Sequence, residues 1–321
     1  MQDNFWTQLP RPIVTLSPME GITDSPFRRI CKEQGAHLVY TEVVHVDSII
    51  ASRETTSATL KEKIWQLTHF LPQERPLVIQ LKGKEPAHFA RAIEIINELK
   101  PDGIDINCGC PARKVVQHGS GVGLLRTPHL LKEILRTCVA STDLPVSVKT
   151  RTGTDNVSIL DILRDIEIEK IGIASLTIHG RTREVPFSGD IDVATIKEVV
   201  ARYGNLFPVL ANGGIASRQD IARVVGETGA AGVMIARGAL GNPWVFREPA
   251  YIPTTRERID VMRRHLEYVL AEKDERRAIL EMRKHFGWYI KSFPGAGDLR
   301  RQLMTATTRA DVEKTLSTIK V

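Results

Sequence analysis

The chain has 321 residues, 42% hydrophobic and 26% charged, with a formal net charge of +6. This is an ordinary globular composition, long enough for one large domain plus an appendage. No run approaches the roughly 18 consecutive apolar residues of a membrane helix. The start, "MQDNFWTQLPRP", lacks the basic-then-apolar order of a secretory signal. A cytoplasmic protein with no membrane contact is expected. Its cysteines, Cys31, Cys108, Cys110 and Cys138, do not suggest a disulfide framework in a reducing compartment. They show no C-x-x-C spacing and no zinc-type Cys/His set, so no metal is expected. Cys31 and Cys138 lie in helix-like segments and read as packing residues.

Taken in chain order, short β-type runs recur at 13–17, 37–43, 76–81, 103–107, 145–149, 175–180, 208–213 and 232–237. They are rich in Val, Ile and Leu without strict alternation, as strands of a parallel sheet covered on both faces are. Segments with apolar residues three and four apart lie between them, at 24–34, 85–100, 127–140, 158–170, 192–203 and 217–228. Residues 46–70 leave room for one or two short helices. Eight such units predict an α/β fold, a (β/α)8 TIM barrel over residues 1–250. An open doubly wound sheet is the alternative. The count of eight, and the lack of G-x-G-x-x-G after the first run, favour the barrel.

After Pro253 the pattern changes. Residues 254–275, 276–292 and 308–319 read as helices, with "FPGAGD" (293–298) as a break. This predicts a small C-terminal all-helical domain, 251–321. Charge follows the same division. Residues 1–250 hold 29 Lys and Arg against 28 Asp and Glu, whereas residues 251–321 hold 15 against 10. A basic appendage on a near-neutral body suggests a polyanionic partner such as nucleic acid; a merely solvated helical surface is the bland alternative.

In a barrel, chemistry gathers at the C-terminal strand ends. Those positions carry Pro18, Met19 and Glu20 after strand 1, Gln80 on strand 3, and Asn107, Cys108 and Cys110 on strand 4. Strand 5 ends in Lys149 and Arg151, and strand 6 in His179 with Arg181 and Arg183 following. Asn212, Gly213 and Gly214 follow strand 7, and Ala236, Arg237 and Gly238 follow strand 8. "ANGGI" and "ARGALGNP" are glycine-rich turns of the kind that bind phosphate, and Arg237 adds a forked charge. Gln80, Asn107, Lys149 and His179 form a ring of polar groups suited to a flat heterocycle. A flavin mononucleotide, FMN, fits both halves.

The segments "SPMEGITDSPFRRI", "VIQLKG", "DGIDINCGCPARKVV", "PVSVKTRTG", "LTIHGRTR", "VLANGGI", "VMIARGALGNPWVF" and "EMRKHFGWYIKSFPGAGDLRRQL" resemble, in order and approximate spacing, the bacterial tRNA-dihydrouridine synthases. The resemblance covers nearly the whole chain. It implies an FMN barrel with a helical tRNA-binding domain, which reduces the C5–C6 double bond of particular uridines in tRNA, with NADPH as reductant. By that resemblance Pro18, Met19, Glu20, Gln80, Lys149, His179, Asn212, Gly213, Gly214, Ala236 and Arg237 hold the flavin. Cys110, directly before Pro111, is the proton donor, and Asn107 lies near the base. Arg181 and Arg183 lie near RNA or flavin phosphate, and Arg113 and Lys114 are candidate phosphate contacts. In the tail Arg283, Lys284, Lys291, Arg300 and Arg301 are the candidates for tRNA contact.

A thiol, with an ordinary pKa of about 8.5, can give up a proton near neutrality. Cys108 is expected to be a small filler. A monomer suffices for one cavity and one basic arm. Two other readings stay open: a flavin barrel reducing a small pyrimidine or enone, and a tRNA-binding module without catalysis.

Overall fold

The computed structural model describes residues 4–154, 156–186, 188–291 and 293–318. Eight strands form the barrel wall. They are β1 (Ile13–Leu16), β2 (Val39–Tyr40), β3 (Leu77–Lys82), β4 (Gly103–Cys108), β5 (Val146–Arg151), β6 (Ser175–His179), β7 (Val209–Asn212) and β8 (Gly232–Ile235). From β3 to β8 each strand pairs in parallel with the next, and β2 pairs with β3. The ring is brought round where β8 pairs with β1, Gly232 opposite Ile13. It meets between β1 and β2 through a bridge of Thr15 with Leu38 and a 2.9 Å hydrogen bond from the His37 N–H to the Val14 carbonyl. The sequence thus predicts the eight strands and their order.

Helices cover the outside: α1 (Ser25–Glu33), α2 (Val46–Glu54), α3 (Ala58–Thr68), α4 (Pro86–Asn97), α5 (Pro128–Ala140), α6 (Ile159–Asp165), α7 (Val193–Tyr203) and α8 (Arg218–Thr228). Their starts are chemically marked. The Asp24 carboxylate accepts from the Phe27 N–H at 3.2 Å and the Ser217 hydroxyl from the Asp220 N–H at 3.1 Å, while Pro26, Pro86 and Pro128 sit in first turns. Residues 46–70 resolve into two helices, α2 and α3.

Pleating sorts the strand residues. On β4, Ile104, Ile106 and Cys108 join the large apolar cluster between strands and helices. Gly103, Asp105 and Asn107 have the opposite parity and face the barrel interior. That interior is apolar at its base, where Ile13, Leu38, Tyr40, Val78, Leu210 and Met234 pack with Trp6. Its upper layer is polar.

Beyond Pro253 come α9 (Thr255–Leu270), α10 (Glu275–Tyr289), α11 (Ala296–Thr305) and α12 (Arg309–Leu316). They share a core of their own, including Met262, Leu266, Met282, Phe286 and Leu303, which Ile30 and Trp244 of the barrel region enter. Here the expectation needs correcting. The break "FPGAGD" is shorter than the sequence suggested, and α11 was not foreseen. Gly295, with φ 81°, turns the chain, and the next ten residues, "AGDLRRQLMT", are mostly strong helix formers that propagate from Ala296. The predicted last helix reached Ile319, which lies outside the described residues. Among the described residues no helix is long and apolar enough to cross a membrane.

Candidate active site

The strand ends open into a cavity of about 730 Å³. Pro18, Met19 and Glu20 line one side, and Gln80, Asn107, Cys110, Lys149, His179 and Asn212 line the strand-end floor. Gly213, Gly214, Ala236 and Arg237, from the loops after β7 and β8, line it as well, as does Arg181. With Arg151 and Gly238, which also line it, sixteen of the predicted strand-end positions converge on this one space. Arg113 and Lys114 do not line it; they are exposed on a short helix, Arg113–Gln117, just after the cysteine loop. Arg183 is half-buried beyond its edge, with its backbone N–H on the Gly153 carbonyl at 3.2 Å.

The cysteine loop is held from three directions. The Asn107 side-chain oxygen accepts from the backbone N–H groups of Gly109 at 3.1 Å and Cys110 at 2.9 Å. The Arg151 guanidinium donates to the Gly109 carbonyl at 2.8 Å and to the Thr182 carbonyl at 3.0 Å, tying this loop to the one after β6. The Cys110 carbonyl accepts from the Val122 N–H at 3.2 Å. Gly121 makes that approach feasible: its φ is +59°, and a Cβ there would lie 2.8 Å from the Cys110 carbonyl oxygen. Cys108 points the other way. It is fully buried in the strand–helix core, and burial drives its thiol pKa above the usual range. The one-residue spacing therefore separates a cavity-lining thiol from a packing thiol.

Below the loop, sequence reading missed a buried polar network. Gln80 donates from Nε2 to Asp105 at 2.7 Å, and Ser147 donates from its hydroxyl to the other carboxylate oxygen at 2.7 Å. Asn107 donates from Nδ2 to Gln80 Oε1 at 2.8 Å. Burial raises the Asp105 pKa to about 6 against the lowering effect of these hydrogen bonds and of the Lys149 charge. One signal was in the sequence: Asp105 is a carboxylate in an otherwise apolar run, with the parity of Asn107.

Charge in the cavity is strongly positive. Burial lowers the half-buried Lys149 to a pKa of about 8, and its ammonium donates to Asn212 Oδ1 at 3.1 Å. His179 is pushed down to about 2, first by burial and then by the charges of Lys149, Arg151, Arg181 and Arg237. It is a neutral imidazole, and its Nε2 accepts from Arg181 at 3.2 Å. Arg181 also donates to the Gly189 carbonyl at 2.7 Å. Gly213 has φ +111°, and a Cβ there would meet Arg181, His179 and Ile191 at 3.0 Å, so this turn admits glycine alone. Such convergence of cations on a cavity with glycine turns is the electrostatics of an anion site. Among the described residues no group of three or more His, Cys, Asp or Glu could hold a metal ion.

In the tail, the basic candidates occupy different settings. Arg283 donates to the Ala306 carbonyl at 2.8 Å and Arg300 to the Ile290 carbonyl at 2.9 Å, both bracing the helical region. Lys291 is half-buried, and Arg301 is exposed and paired with Asp298. Lys284 is exposed, and its ammonium reaches the Gly21 carbonyl in the loop after β1.

Fold and cavity together define a (β/α)8 barrel with a cavity at its C-terminal mouth, where barrels of this kind carry their chemistry. The barrel is shared with 6-hydroxypseudooxynicotine amine oxidase from Pseudomonas geniculata N1, at a TM-score of 0.53 and 11% identity, over 74% of this chain and 46% of that one. Residues 15–321 match the dihydrouridine synthase family, and the chain belongs to it. It is 36% identical over 311 residues to tRNA-dihydrouridine synthase B of Xanthomonas axonopodis pv. citri, covering 92% of this chain and 89% of that one. It is 37% identical over 290 residues to tRNA-dihydrouridine synthase B of Pasteurella multocida (87% and 83%), and 36% identical over 312 residues to a probable tRNA-dihydrouridine synthase of Rhodobacter capsulatus (93% and 92%).

Proposed function

We propose that this protein is a flavin-dependent tRNA-dihydrouridine synthase that reduces the C5–C6 double bond of uridine in tRNA. The observation that carries this reading is that the Cys110 thiol borders the same cavity as Gln80, Lys149, His179 and Arg237. A proton donor and a site for a flat anionic cofactor are thereby brought together.

The donor set fits FMN. Four cations face His179, and two glycine turns line the adjoining wall. Gln80, Lys149, His179 and the Pro18–Glu20 loop would hold the ring; Asn212, Gly213, Gly214, Ala236 and Arg237, with Arg181 beside them, would hold the phosphate side. Bound there, a flavin would supply hydride chemistry, with NADPH as its reductant. The protein supplies the rest. Cys110 gives its proton to C5 of the uracil, so the two added hydrogens arrive as hydride and proton and the charge balances. Lys149 offers positive charge against the negative charge that develops during reduction. Asn107 Oδ1 is already occupied by two backbone N–H groups. Its remaining Nδ2 hydrogen is what it can offer a base carbonyl.

A uridine in folded tRNA reaches such a cavity by leaving its stack. Arg113 and Lys114 flank the cysteine loop, and Arg183 lies beside the cavity, where phosphates of the flanking nucleotides would pass. Residues 251–321 serve as the tRNA-binding region, with Lys284 and Lys291 its best-placed cations and Arg283, Arg300 and Arg301 adding charge. A monomer in the cytoplasm suffices for this chemistry.

The test is incubation of the full chain with FMN, NADPH and an unmodified tRNA transcript, followed by nucleoside mass spectrometry. Dihydrouridine is the expected product. A protein that stays colourless after reconstitution with FMN and yields none would end this reading.

A further inference from the structure

We propose that Asp105 is a positioning residue: its carboxylate sets the direction of a hydrogen-bond chain through Gln80 and Asn107 that ends on the Gly109 and Cys110 backbone N–H groups and aims the Cys110 thiol into the cavity.

The direction follows from chemistry. An ionised carboxylate only accepts, whereas a primary amide has one accepting and one donating end. Asp105 therefore forces Gln80 to present Nε2, at 2.7 Å. That turns Gln80 Oε1 toward Asn107, which must answer with Nδ2, at 2.8 Å. Asn107 is left with Oδ1 facing the loop, where it takes the N–H groups of Gly109 and Cys110 at 3.1 and 2.9 Å. Ser147 fixes the second carboxylate oxygen at 2.7 Å and so locks the origin of the chain. Reversing either amide would set donor against donor or acceptor against acceptor. All three members are buried, Gln80 at 1%, Asp105 at 0% and Asn107 at 8% exposure, so water does not relieve the mismatch. The carbonyl side of the loop has other anchors, Arg151 on Gly109 and Val122 on Cys110. The N–H side is held by Asn107, and Asn107 is oriented through Gln80 by Asp105.

The catalytic consequence rests on the proton-donor reading of Cys110; the aiming of the thiol can be measured without it. Cys31, Cys108 and Cys138 are fully buried, so alkylation of the native, FMN-reconstituted protein by iodoacetamide reports on Cys110. Asp105→Leu frees the Gln80 amide, and the alkylation rate should change about tenfold while kcat falls about ten- to a hundred-fold, with KM for tRNA held within about twofold. Asp105→Asn should rescue both, because its Oδ1 still accepts from Gln80 while its Nδ2 donates to the Ser147 hydroxyl. Wild-type alkylation in Asp105→Leu overturns the proposal, and so does damage in Asp105→Asn equal to that in Asp105→Leu. Should Asp105→Leu fail to fold, Gln80→Met cuts the chain one link later; it should show the same change in alkylation, and an unchanged rate there overturns the proposal as well. Failure of the tRNA reductase reading looks different: no dihydrouridine from the wild type, with the alkylation pattern of the variants intact.

Discussion

The barrel mouth and the seam between barrel and tail are both rich in buried polar groups, and they use them in opposite ways. At the mouth the groups form directed chains, Asp105 to Gln80 to Asn107 and Lys149 to Asn212, and all but the buried Asp105 border an open cavity. At the seam, α9 and α10 meet α1 through stacked rings. Phe27 lies 5.7 Å from His265 and 5.3 Å from His285, and the two imidazoles sit edge-on at 4.5 Å. His265 Nε2 and His285 Nδ1 meet no hydrogen-bond partner among the described residues. Charge at the seam is paired, Lys273 with Asp24 at 3.0 Å and Arg264 with Glu33 at 2.9 Å. The mouth spends polarity on orientation toward a ligand. The seam uses imidazoles as neutral aromatic filler, a role that holds only while they stay unprotonated.

The largest expected effect is at the mouth and separates its two cysteines. Cys110→Ala should lower dihydrouridine formation by about a hundredfold or more, while FMN binding and oxidation of NADPH in a single turnover persist. Cys108→Ala removes a buried sulfur from the core and should leave turnover near wild type, at a stability cost of about 1 kcal/mol. Nucleoside mass spectrometry and thermal melting read the two. Near-normal product from Cys110→Ala would erase the distinction between the thiols.

The seam should break first with acid. Burial, with the charges of Lys273 and Lys284, outweighs the attraction of Asp24 and brings His265 to a pKa of about 4. Burial also drives His285 well below its ordinary 6.5. The folded state thus binds fewer protons than the unfolded one. Stability is full above the unfolded value of 6.5 and declines as pH falls toward 4, by about 2 kcal/mol for His265 between pH 6.5 and 5. His179 at the mouth adds a slope of the same sign. The seam's share is therefore what His265→Phe removes, read by urea denaturation at pH 7.5 and 5. Identical pH slopes in variant and wild type would count against the neutral-imidazole seam.

These differences also explain what could be read from the sequence. The strands announce themselves because each is a short Val/Ile/Leu run, and the barrel rule then points to the residue at each C-terminal end. Cys110, Lys149, His179 and Arg237 were legible in that way. Asp105 and Ser147 were not singled out, because their meaning arises only when β3, β4 and β5 lie side by side. The Arg151 contact to the Gly109 carbonyl is likewise a fact of adjacency, joining residues 42 apart. His265 and His285 sit on different helices, and neither alone hints at an edge-on pair. The helix α11 was hidden by Pro294 and Gly295, whose disruption is confined to one turn.

Lys284 crosses between the two regions and gives the smallest expected effect. It extends from α10 at the seam to the Gly21 carbonyl, and the Gly21 N–H donates to Glu42. The loop that carries Pro18, Met19 and Glu20 is thus held from the barrel side by a carboxylate and from the tail side by an ammonium. The ammonium is exposed, and an exposed charge contact contributes little to folding, so Lys284→Met should leave the melting temperature unchanged. Its methylene stem is preserved, which keeps the packing on α10. What changes is local: the loop loses its tail-side tether, and the cavity edge loses one positive charge. FMN affinity should weaken about two- to threefold, and the dependence of log KM for tRNA on log salt should flatten by about one unit if that charge meets a phosphate. A weakened FMN affinity with an unchanged salt slope would assign Lys284 to the mouth as a tether; the reverse would assign it to the RNA surface.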